Sequence, residues 1–234
     1  MAPTIVLIRH AQALHNGEEQ CALLRENLIS TFSDKIDNVD DVAIVVSPMR
    51  RTMQTAMLAL GWLVERGVKI EGNADWQGKP PILPSHTQTH SRSLENSSKP
   101  CDTGSPLSSV SPSFPKVNLS SVDPLWPDKI SPAAERYWYT KKAILDRGQH
   151  ALEGLKKRPE KLIFVVSHAG FLRLGVAGYW FFNSDYRVFD FEDEGIKQRE
   201  ATAAGGMGLS FTEPVELGLD LPEEDPGYDA EVKA

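Results

Sequence analysis

Three short, almost wholly apolar runs constrain this chain more than any other feature: Thr4–Ile8, Val42–Val46 and Leu162–Val166. Each has the length of a strand and lacks the polar alternation of a strand with one wet face, so each reads as a strand buried on both sides. All three stop at polar residues. Arg9-His10 follows the first, Ser47-Pro48-Met49-Arg50-Arg51 the second, and Ser167-His168 the third. Helical patterns lie between and after them. Arg50–Glu65 repeats Met53, Met57, Leu60 and Val64 at helical spacing, Ala133–Lys157 reads as one long helix, and Gly170–Tyr179 as another. Arg187–Phe191 and Met207–Phe211 are short and aromatic or apolar enough to be later strands. Strands alternating with helices predict a three-layer α/β/α sandwich around a mostly parallel sheet. Ligands of such sheets bind beyond the carboxyl ends of the strands. The polar residues after the three runs would then gather in one place.

The chain is expected to form a single domain over 1–212, with a long loop, lid or substrate-specificity insertion at 73–132 and an acidic, mobile tail at 213–234. In 73–132 periodicity is lost and Pro, Ser, Thr, Asn and Gly dominate; Trp76, Phe114, Trp126 and nearby Trp138 are candidates to shape a pocket there. The tail carries eight acidic residues against Lys233 alone, which accounts for the whole net charge of −7. The body before it is therefore neutral overall and does not oppose an anion. This balance argues against nucleic-acid binding. The longest apolar runs, Ile163–Val166 and Tyr179–Phe182, are too short to span a bilayer. Met1-Ala2-Pro3 does not open a secretory signal, and Cys21 and Cys101 lie too far apart in sequence for a metal-type pair. A cytoplasmic protein is expected, with the nucleus as an alternative.

Two histidines and two or three arginines brought together make a cationic pocket with no carboxylate at metal-binding spacing. A lone histidine after a strand is more often structural; two of them around an arginine cluster point to an anion site. Arginine suits phosphate because its planar fork offers parallel donors and stays charged. A neutral histidine can attack phosphorus. Phosphoryl transfer then depends mainly on positioning and on cationic stabilisation. Neither a metal nor a cofactor is expected, and no glycine-rich nucleotide loop is visible.

Leu7-Ile8-Arg9-His10-Ala11 with Asn16, Ser47-Pro48-Met49-Arg50-Arg51-Thr52-Met53-Gln54-Thr55-Ala56, and Val165-Val166-Ser167-His168-Ala169-Gly170 stand in that order. Together they resemble the three signatures of the histidine phosphatase superfamily, the phosphoglycerate mutase-like fold. Ala11 and Ala169 stand where glycine is commoner. The resemblance implies that His10 is the phosphorylated nucleophile and that Arg9, Arg51 and His168 clamp the phosphoryl oxygens. Asn16 and the backbone of Ala169 would add neutral donors, and Arg50 is a further phosphate-binding candidate. Pro100-Cys101-Asp102-Thr103-Gly104-Ser105 and Asn183-Ser184-Asp185-Tyr186-Arg187 resemble the fungal branch of that superfamily.

The resemblance also implies a glutamate general acid after the second signature. Leu94-Glu95-Asn96 nominates Glu95, with Glu71 and Asp75 as poorer candidates; Ser85–Ser93 fits the pattern badly and reads as an insertion. The expected function is hydrolysis of a small phosphomonoester through a phosphohistidine, without metal. The alternatives are phosphoglycerate mutase-type transfer, other chemistry on an anionic substrate, and a catalytically silent anion-binding module. The expected partner is a small phosphorylated or otherwise anionic substrate, with neither nucleic acid nor membrane.

Overall fold

A computed structural model describes residues 2–12, 15–78, 104–129 and 131–224. Seven strands form one sheet: β1 (Thr4–Arg9), β2 (Val42–Val46), β3 (Ile70–Gly72), β4 (Val117–Asn118), β5 (Leu162–Ser167), β6 (Tyr186–Phe191) and β7 (Ile196–Gln198). Their order is β4-β3-β2-β5-β1-β6-β7. The pairs from β4 to β1 are parallel, β6 runs antiparallel to β1, and β7 runs antiparallel to β6. The sheet is thus mostly parallel, with only β6 reversed.

The helices are α1 (His15–Phe32), α2 (Arg50–Ala59), α3 (Gly61–Glu65), α4 (Leu107–Val110), α5 (Lys141–Lys156) and α6 (Ala169–Phe171). Side chains of a strand alternate between faces, and two apolar clusters follow that alternation. Val6 and Ile8 of β1, with Phe164 and Val166 of β5, pack against Leu24 and Leu28 of α1 and Met53 and Ala56 of α2. Ile5, Leu7, Ile163 and Val165 face the other way, onto Ile144, Ala151 and Leu155 of α5 and onto Phe171 and Val176. Covering both faces makes the three layers and explains why β1, β2 and β5 are continuous apolar runs rather than alternating ones.

Several elements differ from the sequence expectation. The helix read over Arg50–Glu65 is two helices, broken at Leu60 (φ −108°, ψ 8°) ahead of Gly61. The single helix read over Ala133–Lys157 begins only at Lys141. Pro132–Tyr137 is a 3-10 turn, Trp138 is extended, and the Thr140 hydroxyl caps α5 by accepting from Ala143 N. Beyond α6 the chain widens into a π-helical turn, Leu172–Ala177, ended by Gly178 at φ 77°. Met207–Phe211 is not a strand, because Gly205 and Gly208 have positive φ and the Asp185 carboxylate binds Met207 N and Leu209 N in a turn. The elements expected from the sequence pattern include neither α1 and α4 nor β3, β4 and β7.

Residues 104–129 are ordered rather than structureless. Val110, Phe114, Val117, Leu119, Val122 and Trp126 enter the core on the α1 side, and β4 extends the sheet. Trp76, Phe114 and Trp126 are core residues and Trp138 is half-buried, its indole N–H donating to Ser131 O. The tail expected to be solvated from Glu213 is docked over its first turns. Val215 N bonds Gly178 O, Gly218 N bonds Leu174 O, and Lys141 N bonds Pro222 O, while Leu221 is buried. An acidic composition dominates that stretch, but these backbone bonds and buried Leu221 hold it to the fold, while Leu217 and Leu219 stay exposed. Among the described residues no helix is long and apolar enough to cross a membrane.

Candidate active site

Strand order and register assemble the site. β5 lies between β1 and β2, and the parallel pairing sets Arg9 opposite Ser167. His10 N then donates to Ser167 O at 3.0 Å, and Ser47 N to Val166 O at 3.1 Å. One residue further on, His168 therefore stands between His10 and Ser47 at the strand tips. Both imidazoles are buried, with ring centroids 5.1 Å apart and planes at 63°.

Arg51, in the first turn of α2, joins them. Its Nε–H donates to His10 Nε2 at 3.1 Å and its Nη2 to His168 Nδ1 at 3.1 Å. Arginine can only donate, so each of these imidazole nitrogens carries a lone pair. The remaining nitrogens complete the assignment. His10 Nδ1 lies 2.7 Å from the carbonyl of Ala11, which accepts its proton. His168 Nε2 lies 3.0 Å from Ser47 Oγ, which can accept its proton. Both histidines are thus held as neutral tautomers, and His10 presents Nε2 as a base or nucleophile. The backbone around His10 is pinned as well: Ala11 N donates to Thr55 Oγ1 and Asn183 Nδ2 to His10 O.

Burial, and then the positive charges of Arg51, Lys129 and Arg147 and the coupling to the neighbouring His10, hold the His168 pKa well below the usual 6.5. Burial also lowers Arg147 to about 10, which leaves it charged at neutral pH. Every charge from the described residues that acts on His168 is positive. Among the described residues, that is the sign of charge an anionic ligand would meet.

The other expected site residues are distributed around this cluster. Arg9 is buried beside it, donating to Phe181 O at 2.8 Å with its guanidinium 5.3 Å from the Trp180 ring centre. Ala169 is buried at the start of α6, and Asn16 is exposed in the first turn of α1. Arg50 is exposed and donates to Ser109 O, which ties α2 to the 104–129 segment rather than to the histidines. Glu95, Ser85–Ser93 and the Pro100–Thr103 part of the fungal motif lie outside the described residues. Glu71 and Asp75 are engaged elsewhere: Arg158 binds Glu71 through both its carboxylate oxygens, and Arg136 and His150 bind Asp75. Asn183-Ser184-Asp185-Tyr186-Arg187 folds as a scaffold in which Asp185 and Arg187 bind backbone of the 180–211 region.

Sequence reading missed Ser47 as a histidine partner, and Lys129 and Arg147 as cations. Arg147 leaves a trace in the pattern, a charge amid the apolar face Ile144, Ala151 and Leu155 of α5. Lys129 leaves none.

No protein-family model matches the chain. It is similar to two Arabidopsis thaliana proteins, phosphoglycerate mutase-like protein 1 and a phosphoglycerate mutase-like protein. The first is 26% identical over 214 residues, covering 72% of this chain and 69% of the relative. The second is 26% identical over 209 residues, covering 72% of both. Among solved structures, a phosphoglycerate mutase from Bacillus anthracis aligns with a TM-score of 0.47 and 15% identity, over 85% of this chain and 92% of that one. Both relatives carry a phosphoglycerate mutase-like name, in line with the resemblance of the three signatures.

Proposed function

We propose that this relative of the phosphoglycerate mutase-like proteins is a phosphatase that hydrolyses a small phosphomonoester through a phosphohistidine at His10. One observation carries the reading: His10 Nε2 faces the Arg51 guanidinium with its lone pair, while Nδ1–H is fixed by the Ala11 carbonyl. A neutral imidazole so oriented is ready for attack on phosphorus. An entering phosphoryl group offers Arg51 oxygen acceptors in place of the imidazole nitrogens, and charge-assisted bonds to them are the stronger ones.

In the first step Nε2 bonds to phosphorus as the bond to the leaving oxygen breaks, and that oxygen takes a proton. In the second, water attacks the phosphohistidine, phosphate departs, and Nε2 is restored. Arg51, with Arg9 and His168, stabilises charge on the phosphoryl oxygens in both steps, so the chemistry is proposed to proceed without metal or cofactor. Glu95 is proposed as the proton donor, since the two rival carboxylates are held by arginines. Glu95→Gln should slow hydrolysis of an alkyl phosphate by roughly 100- to 10,000-fold, and that of p-nitrophenyl phosphate, whose leaving group needs no proton, much less. Equal losses on both esters would remove Glu95 from that role. The 73–132 segment is proposed to govern substrate specificity, and the fungal branch is proposed as the chain's place within the superfamily.

The decisive experiment is release of phosphate from p-nitrophenyl phosphate by the pure protein, with acid-labile phosphohistidine trapped at position 10 during turnover. Turnover without that adduct would favour other chemistry in the pocket, and binding of phosphate without turnover would favour a silent module.

A further inference from the structure

The large apolar side chains left exposed are not spread evenly. Among the described residues only two of them are aromatic, Phe182 at 41% exposure and Phe211 at 64%, and Leu209 at 53% lies in the same stretch as Phe211. The two stretches touch, since Phe182 N donates to Ser210 Oγ at 2.9 Å. The Phe211 ring stacks on that of Trp180, with centres 6.2 Å apart and planes at 30°. Trp180 is half-buried, so its ring carries the patch inward. Single exposed leucines, such as Leu23 on α1 and Leu58 on α2, are ordinary. A cluster with three aromatic rings is not, because apolar surface kept in water costs free energy that a ligand can recover.

The patch is continuous with the candidate active site. β6 runs antiparallel to β1 and pairs Tyr186 with Ile8, so the stretch leading into it passes the tip of β1. Phe181 O accepts from Arg9 Nη1 at 2.8 Å, and Asn183 Nδ2 donates to His10 O at 3.2 Å. Phe182 thus stands between the two residues that bond Arg9 and His10. The Arg9 guanidinium lies 5.3 Å from the Trp180 ring centre, and that of Arg173 6.0 Å from it. The patch therefore runs from a cationic end at the site to an apolar end in solvent. A molecule with a negative head and an apolar body matches both parts.

We infer that Trp180, Phe182 and Phe211 form a platform for the leaving group, so that the preferred substrates are phosphate monoesters of alcohols bearing a large apolar group such as an aryl ring. The inference rests on the phosphatase reading and names its substrate class. Charge-assisted bonds hold the phosphoryl group, while the rings gain by covering apolar surface of the alcohol.

The test compares two monoesters with the same leaving-oxygen chemistry, propyl phosphate and 3-phenylpropyl phosphate, and their non-hydrolysable counterparts, butylphosphonate and 4-phenylbutylphosphonate. Full-length wild type should turn over the phenyl ester with a kcat/KM about 10- to 100-fold higher, and bind the phenyl phosphonate more tightly by a similar factor, as burial of one ring implies. The double variant Phe182→Ala/Phe211→Ala should lose that preference, to within about threefold. Equal kcat/KM and equal affinity for the two chains in wild type overturn the inference and leave the phosphatase reading intact. A preference that survives in the double variant also overturns it, since the ring would then be bound elsewhere. Tighter binding of the phenyl phosphonate with turnover of neither ester would overturn the phosphatase reading and, with it, the leaving-group role. A dimer in sedimentation that the double variant dissociates would assign the patch to a second copy and overturn the inference. If the double variant does not fold, NMR contacts from the phenyl protons of 4-phenylbutylphosphonate bound to wild type decide: they should reach the Phe182 and Phe211 rings, and their absence overturns the inference.

Discussion

Two buried polar regions adjoin in the sheet, where Arg9 N bonds Asp185 O, and use charge in opposite ways. Where β6 begins, Asp185 is fully buried and accepts from Tyr186 N, Met207 N, Leu209 N and Ser210 Oγ. Arg187, also fully buried, donates to the carbonyls of Trp180, Ala203 and Phe211. One anion and one cation, two residues apart, are each tied to loop backbone. At the tips, by contrast, Arg51 bridges two neutral imidazoles, and Lys129 and Arg147 bind carbonyls, so the charges acting on His168 share one sign. The first region is internally compensated and holds the 200–211 turns to the sheet. The second sets its cations around two imidazoles. Burial alone does not separate a structural charge from a functional one; the sign balance and the nature of the partners do.

That contrast can be broken by mutation. The largest effect is expected at His10. His10→Ala should abolish turnover and phosphohistidine formation while urea unfolding stays cooperative with a similar midpoint, because the imidazole acts chemically. Retained activity would dismantle the comparison at its centre.

Arg51→Ala comes next. Losing a charge-assisted clamp should cost about 2–4 kcal/mol of transition-state binding, and so lower kcat/KM by about 30- to 1,000-fold. Since a like charge is removed, the stability of the ligand-free protein should be unchanged or raised. A large loss of stability with normal kinetics would mean that Arg51 belongs with the structural charges.

Asp185→Ala should do the reverse. It strands three backbone N–H groups and the Ser210 hydroxyl, at roughly 2–4 kcal/mol of folding stability. Denaturant unfolding should show that loss, while kcat/KM per folded molecule falls less than about tenfold.

The smallest effect is a pH dependence. The folded-state pKa of His168 lies well below 6.5, so on acidification the unfolded chain takes up this proton first. The contribution of His168 to stability is therefore full above about pH 6.5 and is lost as pH falls below it, by at most about 1.4 kcal/mol per pH unit. Unfolding curves at pH 7 and 5.5 should show the decline, and His168→Gln should flatten it. Bound phosphate should also flatten it, since an anion eases protonation. A steeper decline in His168→Gln would place the acid sensitivity elsewhere.

Much of this was legible in the chain itself. β1, β2 and β5 are apolar on both faces because both faces are covered, and that signal is local and unambiguous. The polar residues that end them follow directly, so His10, Arg51 and His168 could be named as neighbours from strand ends in a parallel sheet. α1 was legible too, though unread: Cys21, Leu24, Leu28 and Phe32 recur at helical spacing. The 104–129 segment was not, because Val110, Phe114, Leu119 and Trp126 reach the core from short turns and leave no period behind. The docking of Val215–Pro222 was hidden by the acidic residues between its leucines.

What the sequence determined by itself was the alternation of buried strands and helices, and the residue types at the strand tips. Tertiary structure alone decided which nitrogen of each histidine bears a proton, because that depends on partners distant in the chain: Arg51 lies 41 residues from His10 and 117 from His168. It alone turned Arg50 to Ser109 and Arg51 inward, two adjacent arginines that a linear pattern treats alike. It also brought Lys129 to Gly78, across 51 residues. Periodicity records which face of an element is dry, whereas charge compensation depends on neighbours that only the assembled chain supplies.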